Sequence, residues 1–254
     1  MATSYNNVGA FYDDQNQPDK AEKYYLAAIE IRERLVEENA DAYEPDLAMS
    51  YNNAGVFYKN QGQRDKAEKY YLAAIEIYER LVEKNAAAYE PALATSYNNA
   101  GVFYDDQNQS DKAKKYYLSA MEIYERLVEK NAAAYEPDLA MSYNNAGVFY
   151  KNQGQSDKAE EYYLAAIEIR ERLVEKNADA YELDLAISCF LFSLNSKDKT
   201  YLDKAYEIAK RRQDDQMCKI IVEFAESHKA SLFFGKPRKR ERLRRFFRPR
   251  NKKR

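Results

Sequence analysis

The sequence feature that most constrains the fold is a phrase repeated at a fixed distance. SYNNAGVFY begins at Ser50, Ser96 and Ser142, and the variant SYNNVGAFY begins at Ser4, so the copies stand 46 residues apart. Units one and three continue with DDQNQ, whereas units two and four continue with KNQGQ. A fixed period of this length is typical of chains that stack one supersecondary unit after another. The alternation indicates duplication of a two-unit block.

Each unit predicts two helices separated by a short turn. In the second unit, Leu47, Tyr51 and Tyr58 fall on one helical face and predict a helix over 46–60, with a proline in its first turn. The stretch NQGQ interrupts the pattern. Apolar residues at helical spacing then predict a second helix over 65–85, with charged residues on the opposite side. We interpret AAAYEP as the connection to the next unit.

A glycine stands inside the predicted first helix of every unit. Glycine costs about 1 kcal/mol relative to alanine in a helix interior. Its repetition therefore indicates a place where two helices approach too closely for a Cβ atom. We expect small residues of the second helix, Ala67 and Ala74 in unit two, to face this place. The four glycines are Gly9, Gly55, Gly101 and Gly147.

The repeated unit resembles a tetratricopeptide repeat, most of all the long-repeat type found in kinesin light chains. The residues that carry the resemblance, within YNNAGVFYKNQGQRDKAEKYYLAAIEI, are Tyr51, Gly55, Tyr58, Ala67, Tyr71 and Ala74. The family's usual period is roughly 34 residues, and we expect the additional residues to form extra helical turns. The resemblance covers residues 3–184. It implies an all-α, right-handed superhelical solenoid of antiparallel helix pairs with a C-terminal capping helix.

The end of the chain departs from the repeat. A fifth unit keeps only part of the register, and a further helix presents Met217, Ile220, Ile221 and Phe224 on one face, which is typical of a solenoid cap. The first unit has no such cap, so self-association through its open end is one expectation. The predicted organisation is four repeats over 1–184, a degenerate fifth pair over 185–213, a capping helix over 214–235 and a basic tail over 236–254.

Histidine and cysteine, two residue types that often carry catalysis or hold a metal ion, are scarce in this sequence. His228 is the only histidine, and Cys189 and Cys218 lie on different predicted helices. These residues do not predict a metal site or an activated nucleophile, and NQGQ is an inter-helix turn rather than a phosphate-binding loop. We therefore expect a protein that is not an enzyme and that has no cofactor and no metal.

The composition bears on location as well. No apolar run approaches the ~20 residues that a membrane span needs. The stretch MATSYNNVGAFYDD has neither the basic start nor the apolar core of a secretory signal. Two cysteines do not form a disulfide framework. A cytoplasmic location is the simplest expectation.

The resemblance implies that the first helices of the pairs line a concave groove that binds a protein or peptide partner. We therefore expect a non-enzymatic interaction scaffold. Carried over position by position, the groove residues are Thr3, Asn6, Ala10, Asp13 and Asp14 in unit one, Met49, Asn52, Val56, Lys59 and Asn60 in unit two, Thr95, Asn98, Val102, Asp105 and Asp106 in unit three, and Met141, Asn144, Val148, Lys151 and Asn152 in unit four.

The two adjacent asparagines of each unit take different roles in this interpretation. Successive helix positions point about 100° apart, so both side chains cannot face the groove. We expect the first, Asn52 in unit two, to offer its carboxamide to a peptide backbone, with a solvated surface position as the alternative. The second, Asn53, resembles the family's structural asparagine, which bonds to the backbone of the adjacent helix.

The ends of the first helices alternate in charge. Units one and three carry Asp-Asp there, and units two and four carry Lys-Asn. A partner with spaced charges of both signs matches this pattern, whereas Asp105 and Asp106 would repel a uniformly acidic peptide. The alternative is that duplication copied two surface loops that have no role in binding.

The basic tail is the strongest charge feature of the chain. Residues 236–254 hold 12 basic residues and one acidic residue, although the whole chain has a net charge of −2. Nucleic-acid binding is the leading functional interpretation, and an anionic membrane, a nuclear-import signal, docking on the acidic body and a solvated tail stay open. The residues predicted to bind nucleic acid or membrane are Arg238, Lys239, Arg240, Arg242, Arg244, Arg245, Phe246, Phe247, Arg248 and Arg250.

Two further functions therefore stand beside the scaffold. One is a nucleic-acid-binding protein that acts through the tail, with the repeats as a spacer or oligomerisation unit. The other is an interaction fragment of a larger sensor or effector, which the start of the chain within a predicted helix suggests. The sequence does not name the partner.

Overall fold

The structure, a computed structural model, describes residues 1–196, 198–212 and 215–234, with side chains up to His228. These residues form eleven α-helices and no strand, which confirms the predicted all-α class. The helices are α1 Ala2–Asp14, α2 Pro18–Glu38, α3 Ala40–Asn60, α4 Arg64–Lys84, α5 Ala86–Asp106, α6 Ser110–Lys130, α7 Ala132–Asn152, α8 Ser156–Lys176, α9 Ala178–Ser193, α10 Thr200–Arg211 and α11 Gln216–Phe234.

The helices are grouped in two compact units. Unit 1 comprises Met1–Ile123, and unit 2 begins at Tyr124, so the division falls within α6. In unit 1, the helices from α1 to α5 pack in chain order, and α5 also contacts α3. In unit 2, α7 packs on α8, α8 on α9 and α9 on α10, while α11 contacts both α9 and α10. Each unit is a stack of antiparallel helix pairs, as the repeat predicted.

The 46-residue period consists of two 21-residue helices, a three-residue turn and a single asparagine. The predicted start of the first helix is wrong, because α3 begins at Ala40 and Pro45 lies inside it. Proline is tolerated there because the backbone carbonyl that it leaves without a donor, on the exposed Asp41, is near the helix start. AAAYEP is the opening of the next helix rather than a connection. The connection is Asn85, whose Oδ1 accepts a hydrogen bond from the amide of Ala88 at 3.2 Å and caps α5.

The turn inside each pair explains why asparagine and glycine alternate in the sequence. Gly62 has φ 72° and Asn16 has φ 56°, in the left-handed region that these two residue types adopt most readily. The amide of Gly62 donates to the carbonyl of Lys59 at 3.0 Å, and that of Gln63 donates to Tyr58 at 2.9 Å. This pair of bonds is a Schellman motif. DDQNQ and KNQGQ are therefore two sequences that form the same type of turn.

The helix-interior glycines allow close packing within each pair. A Cβ atom on Gly55 would lie 2.7 Å from Cδ1 of Tyr71, closer than any real Cβ contact. The predicted close approach is confirmed, but the facing group is the tyrosine ring rather than Ala67 or Ala74. Those buried alanines sit one turn to either side, where their small size lets the ring lie across the glycine. The other pairs repeat the arrangement as Gly9–Tyr25, Gly101–Tyr117 and Gly147–Tyr163.

The first pair differs from the next two in the exposure of one phenylalanine. Phe57 and Phe103 are buried, and the rings of Tyr25 and Tyr71 in the preceding pairs lie 5.3 Å and 5.6 Å from them. Phe11, at the same position of α1, is 57% exposed. Self-association at this end stays a prediction.

The last helix closes the other end of the described chain. It packs on the shorter fifth pair, in which α9 has 16 residues and α10 has 12. Of the positions predicted to form its apolar face, Met217, Ile220 and Phe224 are half-buried and Ile221 is fully buried. Its fully buried positions are Cys218, Ile221 and Ala225.

Candidate functional site

The predicted groove residues of unit 1 lie on the first helices of the pairs, which are α1, α3 and α5. We call this set the first-helix face. Its exposed members are Thr3, Ala10, Asp14, Met49, Asn60 and Thr95, its half-buried members are Asp13, Asn52, Val56, Lys59, Val102, Asp105 and Asp106, and its buried members are Asn6 and Asn98.

Unit 2 presents the corresponding positions of the fourth repeat on α7. Met141 is 40% exposed, close to the 39% of Met49 in unit 1. Val148 and Lys151 are half-buried, and Asn152 is exposed. These residues carry the same chemical types as α3, so both units present an apolar position and a charged or amide position on their first helices.

Asparagines of both kinds form hydrogen bonds between neighbouring first helices. Asn99, a second asparagine, donates from Nδ2 to Oδ1 of Asn52 at 3.4 Å. Asn144, a first asparagine, is buried and donates from Nδ2 to Oγ of Ser188 at 2.9 Å. At Asn144, a first asparagine therefore also bonds to the next first helix, beside the role expected of the second asparagine. Ligand contact at half-buried Asn52 stays a prediction.

Two buried arginines occupy positions that sequence reasoning missed. Arg32 on α2 is 1% exposed, and its guanidinium donates to Oγ of Ser50 and, at 3.2 Å, to Oγ1 of Thr3. It also lies 3.7 Å from the carboxylate of Asp46. Arg32 thus links three helices beneath the first-helix face. The available signal was an Arg–Asp pair fourteen residues apart, which recurs at Arg170 and Asp184.

The C-terminal ends of α1, α3 and α5 bring charged side chains into one region of unit 1. We call Asp13, Asp14, Lys59, Asp105 and Asp106 the charged end. Oδ1 of Asp13 accepts a hydrogen bond from Nε2 of Gln61 at 3.3 Å, which ties the end of α1 to the turn after α3. Burial, reinforced by the neighbouring Asp14, raises the pKa of Asp13 above its usual value.

Lys59 and Asp106 perturb one another across α3 and α5. Burial raises the pKa of Asp106 to about 6, although Lys59 opposes this shift and Asp105 reinforces it. Burial lowers the pKa of Lys59, and Asp106 opposes that shift. The two charges therefore stabilise each other less than burial destabilises them. Ionisable side chains whose pKa values are strongly shifted by burial and by a nearby charge are concentrated at functional sites.

Two buried polar atoms at the charged end have no hydrogen-bond partner among the described residues. They are the hydroxyl of Tyr71, whose side chain is 1% exposed, and Oδ2 of Asp106. Burial, with the charge of Asp106 second, raises the pKa of Tyr71. Buried polar atoms are almost always paired in native proteins. These two atoms can therefore form further hydrogen bonds at the charged end.

The described part of the chain gives little support for a metal site, a reactive cysteine or a membrane span. No group of three histidine, cysteine or acidic side chains within it is placed to hold a metal ion. Cys189 and Cys218 are buried, and burial raises the pKa of the Cys189 thiol to about 12. Among the same residues, no helix combines the length and apolar character of a membrane span. The tail residues Arg238 to Arg250 lie outside the described range.

Tandem helix pairs with three-residue turns define the class of helical repeat proteins. Models of the tetratricopeptide repeat match residues 46–126 and, in a second model, residues 1–39 and 139–177. The chain belongs to the tetratricopeptide repeat family, as the sequence resemblance predicted. The fold of this family serves as a scaffold for protein interactions, and its members are generally not enzymes.

Solved structures agree with this assignment at the level of the fold. BtubC (BKLC) from P. vanneervenii is 24% identical, with a TM-score of 0.58 over 92% of this chain and 81% of that chain. The apo form of RapI is 18% identical, with a TM-score of 0.63 over 91% of this chain and 83% of that chain. A search of curated proteins finds no match.

Proposed function

We propose that this protein is a non-enzymatic scaffold whose first-helix face binds an extended segment of a partner protein. The observation that carries the proposal is the recurrence of accessible apolar and polar positions on successive first helices. In α3, Met49 and Val56 stand beside Asn52 and Lys59, and all four are accessible. Because α1 and α5 also carry accessible apolar and polar positions, the face suits a ligand that runs across the helices and presents side chains at regular intervals.

The energetics of the face favour the same kind of ligand. Most of its members are exposed or half-buried, so they keep surface that a ligand can cover. Covering the exposed parts of Met49 and Val56 would gain about 25 cal/mol per Å² of apolar surface. Oδ2 of Asp106 and the hydroxyl of Tyr71 would add directional hydrogen bonds to the ligand.

Selection from an unbiased peptide library tests this proposal. We expect the immobilised full chain to enrich peptides that no longer bind once Val56→Arg and Val102→Arg place two cations on the first-helix face. The matched control is Leu72→Arg with Leu118→Arg, since these leucines are 40% and 39% exposed on the second helices of the same pairs. Circular dichroism verifies that both variants are folded. Enriched peptides that bind all three proteins equally would refute the proposal.

A second candidate function rests on the sequence of the tail, which has 12 basic residues among its 19 positions. We propose that it binds nucleic acid, because clustered cations release the counterions of phosphates. Mobility shifts with RNA and DNA should show binding by the full chain that weakens steeply with salt and that is lost when the chain ends at Gly235. The variant Phe246→Ala with Phe247→Ala should retain this binding. No retention by the full chain at low salt would exclude the function.

A further inference from the structure

We propose that the partner segment carries two basic side chains about six residues apart, one for Asp106 and one for the Asp13–Asp14 pair. An acidic or amide residue lies midway between them, opposite Lys59. The inference rests on the proposed function and specifies the chemistry of its ligand. It uses only the charged end of unit 1.

The electrostatics of the helix ends favour cations at these two places. The C-terminus of a helix carries a partial negative charge, so carboxylates there are unfavourable and cations are stabilising. α1 and α5 nevertheless end in Asp13–Asp14 and Asp105–Asp106, and neither has a basic residue in its last turn. α3, which lies between them in the repeat order, ends with Lys59 instead. Two negative places therefore flank one positive place.

The free polar atoms are an independent observation that points to a ligand at α5. Oδ2 of Asp106 is buried and has no hydrogen-bond partner within the described part of the chain, and the same holds for the hydroxyl of buried Tyr71. A guanidinium carries several N–H donors in a fixed plane. It can donate to oxygen acceptors of this kind, whereas an acidic side chain would be repelled by the carboxylate of Asp106.

The spacing follows from the dimensions of helices and extended chains. Packed helices lie 8–10 Å apart, so two steps from α1 to α5 cover roughly 20 Å. An extended chain advances about 3.3–3.6 Å per residue, which makes this distance about six residues. The residue opposite Lys59 on α3 is then about three residues from each basic side chain.

The probe for this inference is the labelled peptide Arg-Ser-Gly-Glu-Ser-Gly-Arg, compared with its charge-inverted form Glu-Ser-Gly-Arg-Ser-Gly-Glu. Fluorescence anisotropy at low salt with the full chain should show that the first peptide binds at least about tenfold more tightly. Asp106→Asn should remove most of that preference. The matched control is Glu30→Gln with Glu76→Gln, which removes two exposed carboxylates of unit 1 from the second helices and should leave binding unchanged.

The pH dependence supplies a readout that a merely structural role would not give. Lys59 and Asp105 are the charged groups that act on Asp106, and the neutral hydroxyls of Tyr71 and Tyr117 also lie near it. The pKa of about 6 means that Asp106 ionises between pH 5 and pH 7. Binding of the first peptide should strengthen over this range and should lose that dependence in Asp106→Asn.

The outcomes separate this inference from the proposed function. If the library yields peptides that depend on Val56 and Val102 but carry no spaced basic pair, the inference is overturned and the scaffold stands. Equal binding of the two probe peptides would also overturn it. If no library peptide depends on the first-helix face, both proposals fail.

Discussion

Gly147→Ala is expected to destabilise the protein by about 1–3 kcal/mol, although alanine is the better helix former by about 1 kcal/mol. A Cβ atom at this position would lie 2.5 Å from Cε1 of Tyr163. The ring cannot move aside easily, because Tyr163 is fully buried between helices. The overlap therefore outweighs the gain in helix propensity. Urea denaturation followed by circular dichroism measures the change in the free energy of unfolding.

Gly9→Ala is the matched control for this substitution. The corresponding Cβ atom would lie 3.1 Å from the ring of Tyr25, so a shift of a few tenths of an ångström relieves the contact. We expect a change close to zero, since the small overlap and the gain in propensity offset each other. Shortening the facing side chain with Tyr163→Leu should recover part of the loss caused by Gly147→Ala. If Gly9→Ala cost as much as Gly147→Ala, the ring contact would not be the cause.

The architecture was largely predictable because the same residue types occupy the same positions in successive repeats. The glycine and the tyrosine-rich second helix recur with each unit, so a local error at one position is corrected by its copies. The residues at which the helices begin and end were harder to predict from the sequence. Asn85 looks like the end of one helix by pattern, yet its side chain caps the next one at Ala88. Nothing in the apolar periodicity distinguishes these roles, because the alanines that follow Asn85 do not mark one face of a helix.

The site was predictable only as a set of positions. Which side chains are accessible depends on how closely neighbouring first helices pack, and that is not a local property of the sequence. Asn98 is 3% exposed, whereas Asn52 at the same position of the preceding repeat is half-buried. The alternating Asp-Asp and Lys-Asn ends were visible in the sequence. The hydroxyl of Tyr71 and Oδ2 of Asp106 were not, because free hydrogen-bonding capacity is evident only once the neighbours are in place.

The charged end lowers the stability of the folded protein at neutral pH. Burial raises the pKa of Asp106 to about 6, so the folded protein binds a proton more tightly than the unfolded chain does. Its ionisation therefore costs stability as the pH rises from about 4 to about 6. A ligand cation beside the carboxylate would favour the ionised form of Asp106 and would offset this loss of stability. A binding site for a cation is therefore one place where such a residue is expected.

Arg170→Ala is expected to destabilise unit 2 by about 3 kcal/mol or more, the largest effect among the substitutions considered. The Arg170 guanidinium is buried and donates to the carbonyl of Asp184 at 2.6 Å and to Oγ of Ser188. Burial lowers the pKa of this guanidinium, and the nearby Asp184 opposes the shift. Alanine would remove both the hydrogen bonds and the volume that fills the space between α8 and α9. Thermal denaturation at neutral pH measures the loss.

Arg170→Tyr separates volume from charge, because tyrosine is the residue that two other repeats carry at this position. Tyr78 is buried on α4, and its hydroxyl donates to the carbonyl of Pro45 at 3.3 Å. A tyrosine at 170 would have the corresponding carbonyl, that of Pro137 on α7, as its acceptor. It would also remove the cost of burying a cation, and Ser188 would keep the hydrogen bond from Asn144. We therefore expect a change within about 1 kcal/mol of zero. A loss as large as that of Arg170→Ala would mean that the cationic hydrogen bonds, rather than the filled volume, hold α8 against α9.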